Sequence, residues 1–145
     1  MENRSIILLV EDNESHALLA MRGLLQFPGK HSIIHVSDGE AALDYIFRRG
    51  EYSNPRKSPT PNLILLDLRL PRVDGIDVLR EIKNSEDHRA IPVVILTSSM
   101  AEPDIVRAYF FYANSYIVKP LDFEDFRRQM LEIANYWLTR NINPL

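Results

Sequence analysis

Cysteine is absent from the 145-residue sequence, which excludes disulfide bonds, thiolate metal sites and cysteine nucleophiles. Long hydrophobic runs are absent too, since only the five residues Ile6 to Val10 precede the first acidic pair, too few for a signal-peptide core or a membrane span. Charge of one sign does not dominate, because the net charge is -3 and the pI is near 5.8. We therefore expect a cytoplasmic protein without direct binding to nucleic acid or to membranes.

The composition that remains, 46% hydrophobic and 26% charged, is typical of one globular domain with a sizeable core. We expect this domain to span 1–145 and to close with a helical extension over about 122–140.

Short apolar runs alternate with amphipathic stretches along the whole chain. The predicted strands are Ile6–Val10, Ser32–Val36, Leu63–Asp67, Ile91–Leu96 and Tyr116–Val118, and the predicted helices cover 13–26, 41–49, 76–82, 105–113 and 122–138. Such alternation implies parallel strands joined by right-handed crossovers. The predicted fold class is α/β: a doubly wound, five-stranded parallel sheet with helices on both faces.

One connection is long for such a fold. Residues 50–61 contain Pro55, Pro59 and Pro61 and read as an irregular exposed loop. Both a functional segment and a dispensable surface insertion fit this pattern.

Polar residues close four of the predicted strands. Because the carboxyl ends of parallel strands share one edge of the sheet, these residues should be neighbours. They are Glu11, Asp12, Asp67, Thr97 and Lys119. Asp67 alone could be a turn or cap residue, but the set as a whole is chemically coherent.

Converging carboxylates repel one another unless a cation lies among them, and an all-oxygen site suits Mg²⁺. Lys119 and Thr97 would supply donors for an incoming anion. Metal and lysine together could neutralise the charge of a phosphoryl group in transfer, with Asp67 as the nucleophile.

Other phosphate chemistry fits less well. The acidic residues after the first strand, Glu11 to Glu14, disfavour an anionic nucleotide or flavin, which prefers glycine-rich backbone donors there. A phosphatase of the haloacid dehalogenase type needs a second acid at the position of Arg69. The four histidines, His16, His31, His35 and His88, fall outside the strand-end set, so we interpret them as surface or packing residues.

Five landmarks in this order resemble the receiver domains of two-component response regulators, the CheY-like, flavodoxin-like family. They are Glu11-Asp12, Asp67 followed by Leu68 to Pro71 and Asp74-Gly75, Thr97-Ser98, Tyr116, and Lys119-Pro120. The resemblance covers roughly residues 6–138. Ser98 is a departure, because many receivers have alanine there.

The resemblance implies a role for each landmark. Asp67 would accept a phosphoryl group from a phosphohistidine of a sensor histidine kinase. The Mg²⁺ ligands would be Glu11, Asp12, Asp67 and the backbone carbonyl of Arg69. Lys119 would contact the phosphate and form a cis bond with Pro120, whereas Thr97 and Tyr116 would be the switch residues. Such a protein catalyses its own phosphorylation and dephosphorylation but is not an enzyme acting on external substrate.

The loop over 50–61, the segment Ile91 to Val94 and the tail Tyr136-Trp137-Leu138 are most similar to the small stand-alone regulators of cyanobacterial phytochrome kinases. A phytochrome-like kinase is then the expected partner, with a phosphotransfer or effector protein downstream. We expect no effector domain to follow, so the signal should leave through a surface.

Aromatic residues from Tyr109 to Tyr112 surround one helix, and Trp137 adds to the last one. They either pack the core or form a homodimer face on the fourth and fifth helices, which the family resemblance also supports.

Two other functions of the protein remain open. One is a phosphorylation-independent interaction module, and the other is a metal-dependent hydrolase, which Arg69 and the lack of a general base disfavour.

Overall fold

The structure is a computed structural model that describes residues 4–144, so Met1–Asn3 and Leu145, the ends of the predicted domain, lie outside the described residues. Five strands alternate with five α-helices. The strands are β1 (Ser5–Val10), β2 (His31–Val36), β3 (Leu63–Leu66), β4 (Val93–Thr97) and β5 (Ser115–Val118). The helices are α1 (Glu14–Leu25), α2 (Gly39–Ile46), α3 (Gly75–Asn84), α4 (Glu102–Phe110) and α5 (Phe123–Asn135).

The strands form one sheet in the order β2-β1-β3-β4-β5, and every neighbouring pair is parallel. This confirms the predicted doubly wound sheet. All four residues of β3, Leu63 to Leu66, are inaccessible to solvent, as expected for a central strand covered on both faces.

Alternate strand residues supply two separate cores. On one face, Leu8, Ile64 and Ile95 pack with α2, α3 and α4. On the other, Ile7, Leu65 and Val94 pack with α1 and α5. Helices therefore lie on both faces, and the polar strand ends are left at the carboxyl edge of the sheet.

Side-chain caps place the first turns of three helices. The side chains of Asn13, Asp38 and Asp122 accept hydrogen bonds from the backbone N–H groups of His16, Ala41 and Asp125, respectively. Because α1 is capped directly after the acidic pair, its first turn lies beside the carboxyl edge.

Several predicted boundaries were wrong. The second helix ends at Ile46 instead of 49, and Arg48 has a φ of 55°. The fourth helix ends at Phe110 instead of 113, where Tyr112 has a φ of 69°. The last α-helix ends at Asn135 and continues as a π-helical turn, Tyr136–Arg140. Left-handed residues stop a helix even when the apolar spacing continues.

Most of the long loop over 50–61 is exposed, as predicted, but its beginning is helical and its end is partly buried. It begins with a 3₁₀ turn, Gly50–Tyr52, and Ser58 and Pro61 are buried. The Tyr45 hydroxyl donates to the Pro59 carbonyl at 2.7 Å, so the buried face of α2 anchors the end of the loop.

The expectation of a cis Lys119–Pro120 bond was wrong, since residues 4–144 contain no cis peptide bond.

Among residues 4–144, no helix has the length and apolar character needed to cross a membrane.

Candidate functional site

The predicted strand-end residues meet at one edge of the sheet. Asp67 follows β3, Glu11 follows β1, and Lys119 follows β5, while Thr97 ends β4. A cavity of about 450 Å³ opens there, lined by Glu11, Asp12, Asn13, His16, Asp67, Arg69, Thr97, Ser98, Ser99 and Lys119. The structure thus brings together all the members of the set predicted from the strand ends.

Lys119 is the centre of this cluster. Its ammonium donates to Asp67 Oδ2 at 3.0 Å, and it also donates to Glu11 Oε1. The side chain of Lys119 is only 4% exposed, so both contacts are shielded from water. A buried ammonium requires such partners, because transfer of an unpaired charge out of water is strongly unfavourable.

Three carboxylates converge at this edge of the sheet, and two of them, Glu11 and Asp67, contact the Lys119 ammonium. Oxygen atoms of Glu11, Asp12 and Asp67 lie within 4.8 Å of one another. Burial raises the pKa of Glu11 from its ordinary value of 4.5 to about 7, with the Asp67 charge adding to the rise and Lys119 opposing it. Even with Glu11 partly protonated near neutral pH, three carboxylates face one ammonium, and their hard oxygen donors fit a divalent cation.

Two hydrogen bonds with backbone groups of neighbouring segments hold Asp67 in place. Its N–H donates to the Val10 carbonyl at 3.1 Å, and its Oδ1 lies 3.4 Å from the Arg69 backbone nitrogen, which donates to it. Gly75 closes the loop behind it, where a Cβ would lie 2.2 Å from the Asp67 carbonyl oxygen. Only glycine permits this approach, which explains the Asp74-Gly75 pair in the sequence.

Thr97 and Tyr116 both contact Ser99, in the loop between β4 and α4. Thr97 Oγ1 accepts from the Ser99 N–H at 3.3 Å, and the Tyr116 hydroxyl donates to the Ser99 carbonyl at 2.9 Å. Burial raises the pKa of Tyr116, so its hydroxyl keeps its proton as a donor. Tyr116 is therefore already bonded to the loop that starts beside Thr97.

Sequence reasoning missed a polar bridge that consists of Arg69, Ser99 and Asp104. The Arg69 guanidinium donates to Asp104 Oδ2 at 2.9 Å, and the Ser99 hydroxyl donates to the same oxygen at 2.5 Å. The bridge connects the loop after Asp67 to the first turn of α4. No sequence signal paired Arg69 with Asp104, because they lie 35 residues apart on separate elements.

His16 is partly exposed and packs beside Phe126, as expected of a surface or packing residue, but it also contacts the strand-end cluster, which the sequence did not predict. Its Nδ1 lies 3.0 Å from Lys119 Nζ and accepts a hydrogen bond from it. Burial, and then the Lys119 charge, lower the pKa of His16. The signal that could have found it is its position in the first turn of α1, because helical side chains tilt toward the N-terminus and hence toward this edge.

Only some of the aromatic residues predicted to form a surface are exposed to solvent. Phe111 packs against the core, whereas Tyr109, Phe110 and Tyr112 are exposed. Trp137 packs partly against the core on the α5 side.

The chain matches the family model described as the response regulator receiver domain, over residues 7–131. It is 51% identical to the "Probable methanogenesis regulatory protein FilR2" of Methanothrix harundinacea, with 99% of this chain and 90% of that protein covered. The crystal structure of the phosphorylated cyanobacterial phytochrome response regulator RcpA superposes with a TM-score of 0.94 at 36% identity, covering 99% of this chain and 100% of that one.

Response regulator Rcp1 of Synechocystis is 41% identical, with 92% of this chain and 88% of that protein covered. The crystal structure of a Mn²⁺-bound form of Rcp1 has a TM-score of 0.90 at 39% identity, covering 97% of this chain and 99% of that one. The similarity to the small phytochrome-type regulators predicted from the sequence is confirmed.

Proposed function

The chain belongs to the response regulator receiver domain family, and from this premise we propose that Asp67 accepts a phosphoryl group from a phosphohistidine of a sensor histidine kinase. The observation that carries the proposal is the pairing of Asp67 with Lys119 inside the three-carboxylate cluster. A carboxylate at this edge, beside a buried ammonium and open to a cavity, has the surroundings that an acceptor of an anionic group needs.

The transfer is a displacement at phosphorus. One Asp67 carboxylate oxygen attacks the phosphorus atom of the phosphohistidine, so that an O–P bond forms while the N–P bond of the donor breaks. The electron pair of the broken bond stays on the imidazole nitrogen, which takes a proton from solvent. Lys119, already within 3.0 Å of Asp67 Oδ2, provides positive charge for the incoming phosphoryl oxygens.

Glu11, Asp12, Asp67 and the backbone carbonyl of Arg69 would hold Mg²⁺. A bound Mg²⁺ would neutralise negative charge on the phosphoryl oxygens and on the carboxylate cluster. The fit of a divalent cation rests on the carboxylate surplus described above, and the Mn²⁺-bound form of the relative Rcp1 supports it.

Thr97 and Tyr116 form the switch. Thr97 Oγ1, which now accepts from the Ser99 N–H, turns to the phosphoryl oxygens, and the loop containing Ser99 follows. Tyr116 moves with this loop through its bond to the Ser99 carbonyl. The phosphorylation state of Asp67 thereby reaches α4, and the protein signals through protein contacts.

The kinase partner is a phytochrome-like histidine kinase. Support comes from the relative RcpA, which is a phytochrome response regulator and was crystallised in its phosphorylated form. A phosphotransfer or effector protein would receive the signal, and the protein would form a homodimer through α4 and α5, where apolar side chains are exposed.

Replacement of Asp67 tests this function. We expect Asp67→Asn to abolish labelling by acetyl phosphate or by a cognate kinase, since the amide is a poor nucleophile for phosphorus, and removal of divalent cations with EDTA to abolish labelling of the unmodified protein. Asp87→Asn, at an exposed position outside the cavity, is the matched control and should label normally.

Two outcomes would contradict the proposal. Undiminished labelling of Asp67→Asn would exclude Asp67 as the acceptor. Absence of labelling in the unmodified protein with Mg²⁺ and a competent donor would instead favour the phosphorylation-independent module.

A further inference from the structure

The Lys119 ammonium has three N–H donors, and the structure provides three acceptors for them. Two are the carboxylates of Glu11 and Asp67, which belong to the proposed phosphoacceptor site. The third is His16 Nδ1, at 3.0 Å, which the proposed reaction does not use. An ammonium with three partners in different directions has a defined orientation, whereas one with two can rotate or turn to water.

We propose that His16 is a positioning residue, whose Nδ1 atom is the third acceptor that orients the Lys119 ammonium toward Asp67. The consequence for phosphoryl transfer rests on the proposed function, but the orientation of Lys119 does not. Lysine needs such support more than arginine would, because its charge sits at the end of a flexible four-carbon chain.

His16 is itself well fixed for this task. It lies in the first turn of α1, where its backbone N–H donates to the Asn13 side chain at 3.0 Å. Its ring lies beside Phe126 of α5, with 6.3 Å between the ring centroids. With Nδ1 accepting from an ammonium, the ring is neutral and carries its proton on Nε2.

The geometry limits which side chains could replace His16. Asparagine places its Oδ1 atom at the same distance along the side chain as Nδ1, so it can accept the same bond. Glutamine places its acceptor one bond farther out, nearer to Nε2, and leucine has no acceptor. The side chain is 38% exposed, so none of these changes should unfold the protein.

The direct test is ¹⁵N NMR of the lysine side chains at low temperature, in which ammonium groups held by hydrogen bonds exchange protons slowly enough to be observed. The chain has four lysines, Lys30, Lys57, Lys83 and Lys119, so a Lys119→Met variant suffices to assign the signal. We expect the Lys119 signal to persist in His16→Asn and to be lost or broadened in His16→Gln and His16→Leu. Ser15→Leu, an exposed change in the same helical turn, is the control and should keep it.

A kinetic test uses the same variants. The rate of labelling by acetyl phosphate with Mg²⁺ should fall about tenfold in His16→Gln and His16→Leu, as expected for one hydrogen bond to a charged group, and His16→Asn should recover most of the loss.

Equal Lys119 signals in all the variants would overturn the proposal, because His16 would then not hold the ammonium. Equal loss in Asn, Gln and Leu would overturn it as well, since the ring and not the Nδ1 acceptor would matter. If the unmodified protein is not labelled at all, the proposed function fails, while the NMR comparison still decides the role of His16.

Discussion

At the scale of single residues, two lysines, Lys119 and Lys83, each have three hydrogen-bond acceptors for their ammonium group. Lys83, near the end of α3, donates to the carbonyls of Arg89 and Ile91 at 2.9 and 2.8 Å and to Asn114 Oδ1 at 2.9 Å. Asn114 Oδ1 also accepts from the Val93 N–H at the start of β4. Lys83 therefore joins α3, the start of β4 and the loop before β5, away from the proposed phosphoacceptor site.

We predict that Lys83→Met lowers the free energy of unfolding by about 2 kcal/mol near neutral pH, because carbonyl acceptors lose their donor. Burial lowers the pKa of Lys83 from 10.5 to about 8. Between these values the unfolded chain binds more protons than the folded chain, so this residue makes the folded state more stable as pH rises. Urea unfolding at pH 7 and above pH 9 should show that the difference in the free energy of unfolding between the unmodified protein and Lys83→Met grows with pH. A difference that shrinks with pH would contradict the lowered pKa of Lys83.

The limits of sequence reasoning are clear at this scale. Asp67 and Lys119 could be predicted as neighbours, because the strand-end rule depends only on strand order and direction. His16 and Ser99 could not, since their contacts depend on side-chain direction and loop path, which a spacing pattern does not contain. Asp104 was missed for the same reason.

At the scale of elements, the start of α4 is bound to the proposed site by a polar bridge. Arg69 and Ser99 both donate to Asp104, and Tyr116 bonds to the same loop from β5. The N-cap residue of α4, Ala101, makes no side-chain cap, and the Asp104 side chain instead holds the first turn of α4 to the neighbouring loops. A change at Asp67 can therefore reach α4 through Arg69, in the loop after Asp67, and through Ser99, in the loop after Thr97.

We predict that a double-mutant cycle on Arg69→Ala and Asp104→Ala gives a coupling of at most about 1 kcal/mol in unfolding, because Arg69 is 71% exposed and the pair is screened. The local effect should be larger, with faster hydrogen exchange in the first turn of α4. The Asp77–Arg80 pair, also exposed but within α3, is the control, and its removal should leave α4 exchange unchanged. Unchanged α4 exchange in Arg69→Ala would rule out the bridge as a restraint.

The order and type of the elements were predictable because apolar periodicity differs between covered strands and amphipathic helices. Helix ends were not, since α2 and α4 are followed by Arg48 and Tyr112 in a left-handed conformation, and neither residue type signals it. The π-helical turn after α5 continues the apolar spacing of the helix, so the pattern alone does not reveal the change.

At the scale of the whole molecule, exposed apolar side chains concentrate on α4. Val106, Tyr109 and Phe110 lie three and four residues apart and are all exposed, so they form one stripe along the helix. Tyr136, in the π-helical turn that continues α5, is also exposed and lies beside β5, an edge strand of the sheet. We call these four residues the α4–α5 surface. Such a stripe is typical of a surface that another chain covers.

We predict that Phe110→Glu weakens self-association by at least tenfold, because Phe110 is 72% exposed in the single chain and its burial in a dimer would contribute about 1.5–3 kcal/mol. Leu25→Glu is the matched control, since Leu25 is 67% exposed but lies on α1, outside the α4–α5 surface. Sedimentation equilibrium over a concentration series, with and without beryllofluoride as a phosphoryl analogue, measures both variants. Equal weakening by the two substitutions would place the contact elsewhere, and a strict monomer under all conditions would exclude the homodimer.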